Sequence, residues 1–408
     1  MRVLLLSQYY HPEPVEKVHD LARGLARLGH QVEVVTGFPC YPLGRTYDGW
    51  RQRLLARETL DGVSILRVPQ IPDHGTSALR RLIYYLSFAV SSAMIGAAAA
   101  KRPDVILVYQ AAMPVGLAAR VLSAVKRAPY VLDVVDLWPE SVTMSGMARG
   151  RLLEWLIRLV MRFIYSGAKR ISVVTEGFRE NLVRHGVAER KLTVIHNWMP
   201  SETYQRMPYD AALAAREGLA GRFNVMYAGN MGSLQDLQTV IEAAKRLRWL
   251  PGGQFVLVGG GTEYDRLVAA AQREKLTNVR FLGRRPPESM AALYALADVL
   301  LVHVKPDPLT EISIPSKTFA YLAAGKPVLM AVRGDAARMV EQDGFGVAVE
   351  PSNPEALADA VRRMVEMDPA ARALMGGAAM EAHRAKYCAE VQITRMEALL
   401  DGVVAEVR

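Results

Sequence analysis

Residues 3–36 read VLLLSQYYHPEPVEKVHDLARGLARLGHQVEVVT. The apolar run Val3–Leu6 is followed by Val15–Leu28, in which apolar side chains recur with helical spacing, and then by a second apolar run, Val32–Thr36. This order of strand, helix and strand predicts two parallel strands joined by a crossover helix. Because Val3–Leu6 is too short for the apolar region of a secretory signal, we interpret it as a first buried strand.

The same alternation continues along the 408 residues in two blocks. In the first block, further strands are predicted at Ser64–Val68, Val105–Tyr109, Tyr130–Val134, Ile171–Thr175 and Leu192–Ile195. The pattern is lost over residues 196–221. It resumes with strands predicted at Val225–Tyr227, Phe255–Val258, Val279–Leu282, Val299–Val302, Val328–Ala331 and Gly346–Val349.

A chain of this length exceeds what one hydrophobic core usually organises. We therefore predict the α/β class, with two doubly wound, Rossmann-like domains and a ligand cleft between them. The predicted parts are an N-terminal domain at 1–200, a linker at 201–221, a second domain at 222–380 and a C-terminal helix at 381–408 that returns to the first domain.

The charge distribution and the cysteine content limit the classes of ligand and the cellular compartment that we expect for this chain. The formal net charge is +9, but basic and acidic residues are interspersed and no zinc-finger spacing occurs, so nucleic acid is not expected as a ligand. The two cysteines, Cys40 and Cys388, lie far apart and form no C-x-x-C pair. This spacing predicts neither a disulfide framework nor a zinc site, and it favours a reducing, cytoplasmic compartment.

Two segments raise the question of a membrane. Residues 82–100 contain no charged side chain and are followed by Lys101 and Arg102, which meets the length criterion for a membrane span. Their serines and alanines make the run weakly hydrophobic, so a crossover helix, a face that docks on an anionic membrane and a true span all stay open. The series Arg151, Arg158 and Arg162 beside Leu152 and Trp155 fits either a solvated face or a membrane contact.

Ligands of open α/β sheets bind at the carboxyl ends of the strands. The predicted strand Val225–Tyr227 runs into a loop with Gly229 and Gly232, where backbone N–H groups can approach a ligand and a following helix directs its positive end. A phosphate fits this loop, and a plain tight turn is the alternative.

A second anion site is predicted where Pro315, Ser316 and Lys317 open a helix that Gly325 ends. A capped helix with a solvated lysine is the alternative. Two such sites on neighbouring βα units suggest a diphosphate. Further candidates to contact the same ligand are Gly260, Arg284, Arg285 and Lys305.

Taken together, Tyr227–Gly232, Phe281–Gly283, Ala297-Asp298 and residues 315–328 resemble the donor domain of the family 4 glycosyltransferases. Residues 11–14, 39–42 and 136–141 resemble the bacterial branch that builds O-antigen, capsule and colanic-acid-type polysaccharides. The resemblance runs nearly from end to end of the chain. It implies the GT-B fold and metal-independent, retaining transfer, with a nucleotide-sugar co-substrate, expected to be a UDP-sugar, and no further cofactor.

The resemblance also assigns expected roles. Gly229, Gly232, Ser316 and Lys317 are expected to hold the donor diphosphate, Arg284 and Arg285 to border the base, and Asn230 to lie near the leaving group. Two positions depart from the family pattern: Ala320 replaces a glutamate, and Val135 replaces a basic residue. These departures keep two alternatives open, a sugar-nucleotide 2-epimerase and a catalytically silent binding or scaffold subunit.

The first domain is expected to receive the acceptor, a glycan or a polyprenyl-diphosphate-linked precursor, on the inner face of the plasma membrane. Asp136 and Glu140 follow a predicted strand, and we expect them to join Asn230 and Lys317 in catalysis by orienting a sugar hydroxyl; local capping or pairing is the alternative. Glu13, Glu16 and Trp138 are further acceptor-side candidates, although Trp138 equally suits core packing.

Overall fold

The computed structural model describes residues 1–75, 77–144, 150–200 and 203–407. The chain divides into two compact units, Met1–His196 with Gln392–Arg408, and Asn197–Val391. Each unit is built on its own sheet with helices on both faces, which confirms the predicted fold class.

The sheet of the first unit has eight strands in the order β3-β4-β2-β1-β5-β6-β7-β8. Its strands are β1 Arg2–Leu6, β2 Gln31–Gly37, β3 Ala56–Leu60, β4 Val63–Val68, β5 Val105–Gln110, β6 Tyr130–Val134, β7 Arg170–Val173 and β8 Leu192–Val194. The pairs are parallel except for β3, which runs antiparallel to β4. The central strands are buried on both faces, as expected of parallel strands covered by helices.

The helices of the first unit begin with Glu16–Arg27, and the others are Ala78–Ser91, Ala97–Ala99, Met113–Lys126, Glu140–Met144, Arg151–Gly167 and Glu176–Arg184, with a 3-10 turn at Glu189–Lys191. A π-helical turn, Ser92–Gly96, makes residues 78–99 one continuous helical stretch. This stretch packs on Met113–Lys126, which in turn packs on Arg151–Gly167. The connection from β1 to β2 runs across the sheet in one direction, whereas those from β4 to β5, β5 to β6 and β6 to β7 run in the opposite direction. Because such crossovers are right-handed, these three helices lie on the face opposite Glu16–Arg27.

By length and composition alone, residues 78–99 are long and apolar enough to span a membrane. In the first unit, however, Tyr84 and Phe88 of this stretch are buried in the core, and Ser91 Oγ donates to the carbonyl of Pro69 at 2.6 Å. The stretch is therefore a crossover helix of the sheet with an exposed apolar side.

The second unit has a six-stranded parallel sheet in the order β11-β10-β9-β12-β13-β14. Its strands are β9 Phe223–Asn230, β10 Gly253–Gly260, β11 Val279–Gly283, β12 Val299–His303, β13 Val328–Ala331 and β14 Gly346–Val349. Its helices are Ala211–Glu217, Gln238–Arg246, Tyr264–Arg273, Met290–Ala295, Pro308–Glu311, Lys317–Ala323, Asp335–Asp343, Pro354–Glu366 and Pro369–Ala382, with 3-10 turns at Ser233–Gln235 and Pro287–Ser289 and a π-turn at His383–Tyr387. Two buried clusters cover the two faces of this sheet.

Two predicted boundaries differ from the observed units. The segment predicted as a linker, 201–221, contains the helix Ala211–Glu217, and Tyr204, Ala214 and Leu219 pack into the core of the second unit. The chain returns to the first unit only at Gln392. The last helix, Ala389–Val407, then buries Met396 and Leu400, and Glu397 Oε1 lies 2.8 Å from His30 Nε2.

Candidate active site

The end of β9 and the start of the helix Lys317–Ala323 meet at the Lys317 side chain. β9 is buried through Ala228 and becomes exposed at Gly229 and Asn230, where the strand leaves the core. The Lys317 ammonium lies 3.6 Å from the centroid of the Tyr227 ring. A β-carbon built on Gly229 would lie 3.0 Å from Lys317 Nζ. The glycine therefore lets the lysine approach the backbone of β9.

The charge of Lys317 is poorly compensated. Its Nζ atom is shielded from solvent and has no hydrogen-bond partner among the described residues. This burial lowers the pKa of Lys317 to about 7. Because a buried ammonium without an acceptor is costly, an anion bound at this point would supply the missing acceptors and favour the charged form.

Glycines also allow two strand ends to touch. Gly259 has φ +134°, and a β-carbon there would lie 2.0 Å from the carbonyl oxygen of Gly229. Gly260 pairs with Asn230 in the sheet, and a β-carbon on Gly260 would lie 2.9 Å from Arg284 Nε. The second sheet thus brings four of the expected donor-side residues together at the carboxyl ends of its strands: Gly229, Gly260, Arg284 and Lys317.

The amide of Gly232 is already occupied. Its N–H donates to Gln235 Oε1 at 3.1 Å, and Asn230 Nδ2 donates to the same oxygen at 3.3 Å. The expected bond from the Gly232 amide to a phosphate is therefore replaced by an internal one in this structure. Asn230 is held beside this loop, because Tyr227 Oη also donates to its backbone carbonyl at 2.5 Å.

The remaining donor-side candidates are exposed. Ser316 precedes Lys317, and its side chain makes no capping hydrogen bond. Lys305 is also exposed, and its backbone N–H donates to the carbonyl of Leu234 at 2.8 Å. Arg285 forms an ion pair of 2.7 Å with Glu217, so this guanidinium is engaged with the helix Ala211–Glu217.

In the first unit, the acidic candidates follow β6. Asp136 is accessible at the surface, yet desolvation by the surrounding protein raises its pKa to about 6. Glu140 begins the helix Glu140–Met144, and its Oε1 lies 3.9 Å from His185 Nε2. Trp138 packs edge-on against Tyr85, and its indole N–H is buried with no partner in the part of the chain that the structure describes.

The acceptor-side role expected for Glu13 does not fit its position. Glu13 is 4% exposed, and its two oxygens accept hydrogen bonds from the backbone N–H groups of Tyr10, Cys40 and Tyr41 at 2.8–3.1 Å. Burial raises its pKa, although these bonds oppose the shift. Glu13 joins two loops from inside, whereas Glu16 is exposed in the first turn of Glu16–Arg27.

Within the described ranges, His, Cys, Asp and Glu residues form no group of three or more that could hold a metal ion.

Two family models match this chain. A "Glycosyl transferase 4-like domain" matches residues 14–198, and "Glycosyl transferases group 1" matches residues 222–367. The chain belongs to the family 4 glycosyltransferases.

Relatives of this glycosyltransferase span nearly its whole length. WcaI of Escherichia coli (strain K12), named as a colanic acid biosynthesis glycosyl transferase, is 28% identical over 379 residues, 89% of this chain and 92% of WcaI. Glycogen synthase of Mycobacterium tuberculosis is 27% identical over 393 residues, 91% of this chain and 87% of the synthase. HepE of Anabaena, solved in complex with UDP, superposes with a TM-score of 0.73 at 16% identity, covering 98% of this chain and all of HepE. At this identity the likeness to HepE establishes the GT-B fold alone.

Sequence reasoning missed two residues of this glycosyltransferase that shape the loop after β9. Gln235 occupies the Gly232 amide, and buried His303 accepts from the N–H of Ser352 through Nε2 at 3.3 Å and donates from Nδ1 to the Gln235 carbonyl at 2.8 Å. Burial lowers the pKa of His303, which favours this neutral tautomer. Its position at the carboxyl end of β12 was the available signal.

Proposed function

We propose that this family 4 glycosyltransferase moves a sugar from a UDP-sugar to a lipid-linked glycan precursor, with retention of anomeric configuration and without a metal ion. The carrying observation is the buried Lys317 ammonium, which lies against Gly229 and has no acceptor among the residues that the structure describes. A donor diphosphate would supply the acceptors. The complex of the structurally similar HepE with UDP supports the choice of nucleotide.

The proposed reaction places negative charge on the diphosphate. As the bond between the sugar carbon and the phosphate oxygen breaks, the Lys317 ammonium and the Asn230 amide stabilise that charge. The acceptor oxygen forms the new bond on the same face of the sugar, and its proton passes to the departing phosphate oxygen. No strong protein base is then required. Asp136, whose pKa is raised to about 6, and Glu140 orient the acceptor hydroxyl.

Calorimetric titration with UDP-glucose, UDP and GDP tests the donor part. We expect Lys317→Met to weaken UDP-glucose binding by ~1.5–3 kcal/mol, the scale of a hydrogen bond to a charged group. Lys245→Met, at a partly exposed, ion-paired lysine of the same unit, is the matched control and should bind UDP-glucose normally. Absence of nucleotide binding by the unmodified protein would contradict the donor assignment.

A membrane as partner is supported by the outer side of the three adjacent helical segments 78–99, 113–126 and 151–167, here called the three-helix face. Of the twenty-four large hydrophobic side chains that are exposed in the described part of the chain, fourteen lie on this face. The three segments carry seven basic residues and one acidic residue, Glu154. This combination fits an anionic bilayer, which supports peripheral attachment of a cytoplasmic enzyme.

Vesicle flotation tests this attachment. The protein should float with vesicles containing phosphatidylglycerol and remain unbound with pure phosphatidylcholine. Trp155, 58% exposed on the three-helix face, and Trp249, 64% exposed in the second unit, form a matched pair. Trp155→Ser should reduce flotation and Trp249→Ser should not; equal flotation of both variants would refute docking through this face.

A catalytically silent nucleotide-binding subunit is the second candidate, favoured by Ala320. Ala320 is 2% exposed in the core of the second unit. Its methyl side chain offers a ligand no carboxylate. Chromatographic separation followed by mass spectrometry of the products formed from UDP-glucose, with and without membrane extract, separates the alternatives, because the chromatography resolves epimers of equal mass. Sugar transfer that needs the extract supports the transferase, altered donor without extract indicates an epimerase, and nucleotide binding without turnover indicates the silent subunit.

A further inference from the structure

A cavity of about 250 Å³ lies in the first unit between the loop after β6 and the helix Arg151–Gly167. Trp138 and Glu140 form one wall, helix residues 155–165 a second, and Asn181 and His185 a third. This volume is smaller than the roughly 300–1,000 Å³ of sites for drug-sized ligands. The cavity therefore suits one head group rather than a whole acceptor.

Two polar atoms in the cavity wall lack a partner. Trp138 Nε1 and Tyr165 Oη are buried and make no hydrogen bond among the described residues, and Tyr165 as a whole is only 5% exposed. Buried polar groups are normally satisfied, and an indole N–H can only donate. The cavity thus presents donors that need acceptor atoms from a ligand.

The same cavity carries excess positive charge. Arg158 and Arg162 lie one helical turn apart in its wall, and neither is paired with a carboxylate in the described part of the chain. Guanidinium groups bind phosphate oxygens in a two-pronged geometry. The opposing group is the Glu140 carboxylate, which lies 3.9 Å from His185 and can accept from a hydroxyl next to the phosphate.

The cavity opens beside hydrocarbon-like surface. Trp155 and Leu159 line it and are also 58% and 51% exposed, so they extend its wall to the outside. They belong to the three-helix face. A chain attached to a phosphate in the cavity would therefore leave along apolar side chains.

We propose that this cavity binds the phosphate of a lipid-linked glycosyl phosphate, with its hydrocarbon chain over Trp155 and Leu159. Trp138, Tyr165, Arg158 and Arg162 surround the phosphate oxygens, and Glu140 accepts from a sugar hydroxyl. This inference rests on the proposed function, since it identifies the anionic head group of the acceptor.

Calorimetric titration of the full chain with farnesyl phosphate tests the site, with farnesol and inorganic phosphate as separate arms. Farnesyl phosphate should bind at least ~10-fold more tightly than either, because each arm lacks half of the contacts. Arg158→Ala with Arg162→Ala should weaken farnesyl phosphate binding by ~10-fold or more, whereas farnesol binding should not change. Arg246→Ala with Arg363→Ala, both exposed in the second unit, is the matched control.

Trp138→Phe keeps an aromatic ring and removes only the N–H, so it should weaken farnesyl phosphate binding by ~3- to 10-fold. Circular dichroism would verify that each variant is folded. Inorganic phosphate binding as tightly as farnesyl phosphate would overturn the lipid assignment in favour of a free-anion site. Unchanged farnesyl phosphate affinity in the arginine and tryptophan variants would refute the proposal that this cavity binds the phosphate.

UDP-glucose titrated into the same unmodified sample separates the two proposals. Binding of UDP-glucose without binding of farnesyl phosphate would refute the cavity and leave the donor assignment standing. The reverse result would refute the donor assignment and support the cavity.

Discussion

The unpartnered ammonium of Lys317 makes donor binding depend on pH. In the free protein, burial lowers the pKa of this lysine to about 7, so near neutral pH much of it is uncharged. A diphosphate beside Nζ favours the charged form and raises that pKa in the complex. Above pH 7, binding must therefore take up a proton, and affinity should fall as the pH rises.

The size of the effect follows from linkage. If Lys317 stays charged in the complex, affinity is proportional to the charged fraction of the free protein, which drops tenfold per pH unit above the pKa. Affinity should thus be about 10-fold weaker at pH 8 than at pH 6, and about 90-fold weaker at pH 9. Below pH 6 the charged fraction is nearly complete, and affinity should level off.

Calorimetry with UDP-glucose is the assay, because its diphosphate has no group that titrates in this range, unlike the terminal phosphate of UDP. Repeating the titration at pH 8 in buffers of different ionisation enthalpy should reveal uptake of about one proton. Lys317→Arg, which stays charged, and Lys317→Met, which has no charge, should both lose the pH dependence. A flat affinity from pH 6 to pH 9, or a slope that persists in Lys317→Met, would refute the reasoning.

Two stability measurements test other parts of the structure. Gly259→Ala should lower the melting temperature more than Gly252→Ala in thermal unfolding: both glycines have positive φ, but only at Gly259 does a β-carbon meet the Gly229 carbonyl. Equal losses would place the strain in the backbone angle alone. Glu13→Ala should lower the free energy of unfolding by ~2–4 kcal/mol in urea denaturation, because buried N–H donors lose their acceptor. Reduced sugar transfer with an unchanged free energy of unfolding would instead indicate that Glu13 contacts the acceptor.

The positions of most strands in both units could be predicted because parallel strands are buried on both faces and stand out as continuous apolar runs. β3 lacks this signal, since Ala56–Leu60 lies at the sheet edge and is half exposed. The Asp61-Gly62 pair that joins it to β4, with φ +50° and +79°, was a hairpin signal that the apolar pattern obscured. β9 also continues to Asn230 rather than ending at Tyr227, because Gly229 and Asn230 pair with Gly259 and Gly260.

The site itself was only partly predictable. The positions of Gly229 and Lys317 at the ends of their βα units follow from local patterns of loop and helix start. The occupation of the Gly232 amide by Gln235, and the internal role of Glu13, depend on which groups tertiary packing brings together. Spacing along the chain does not contain that information, because each bond competes with other partners that only the folded chain presents.

Buried and partly buried cations elsewhere in the described structure show why Lys317 indicates a ligand site. Arg67 is 1% exposed, but it donates to Glu58, Gly37 and His11. Lys17 lies 2.9 Å from Asp133, and Lys326 donates to the carbonyl of Ala295 at 2.8 Å. Each of these charges has an oxygen acceptor within its own unit, so folding alone accounts for its burial. Within the described ranges, Lys317 contacts the face of the Tyr227 ring and has no oxygen acceptor, so the cost of removing its ammonium from water is offset fully only when an anion binds.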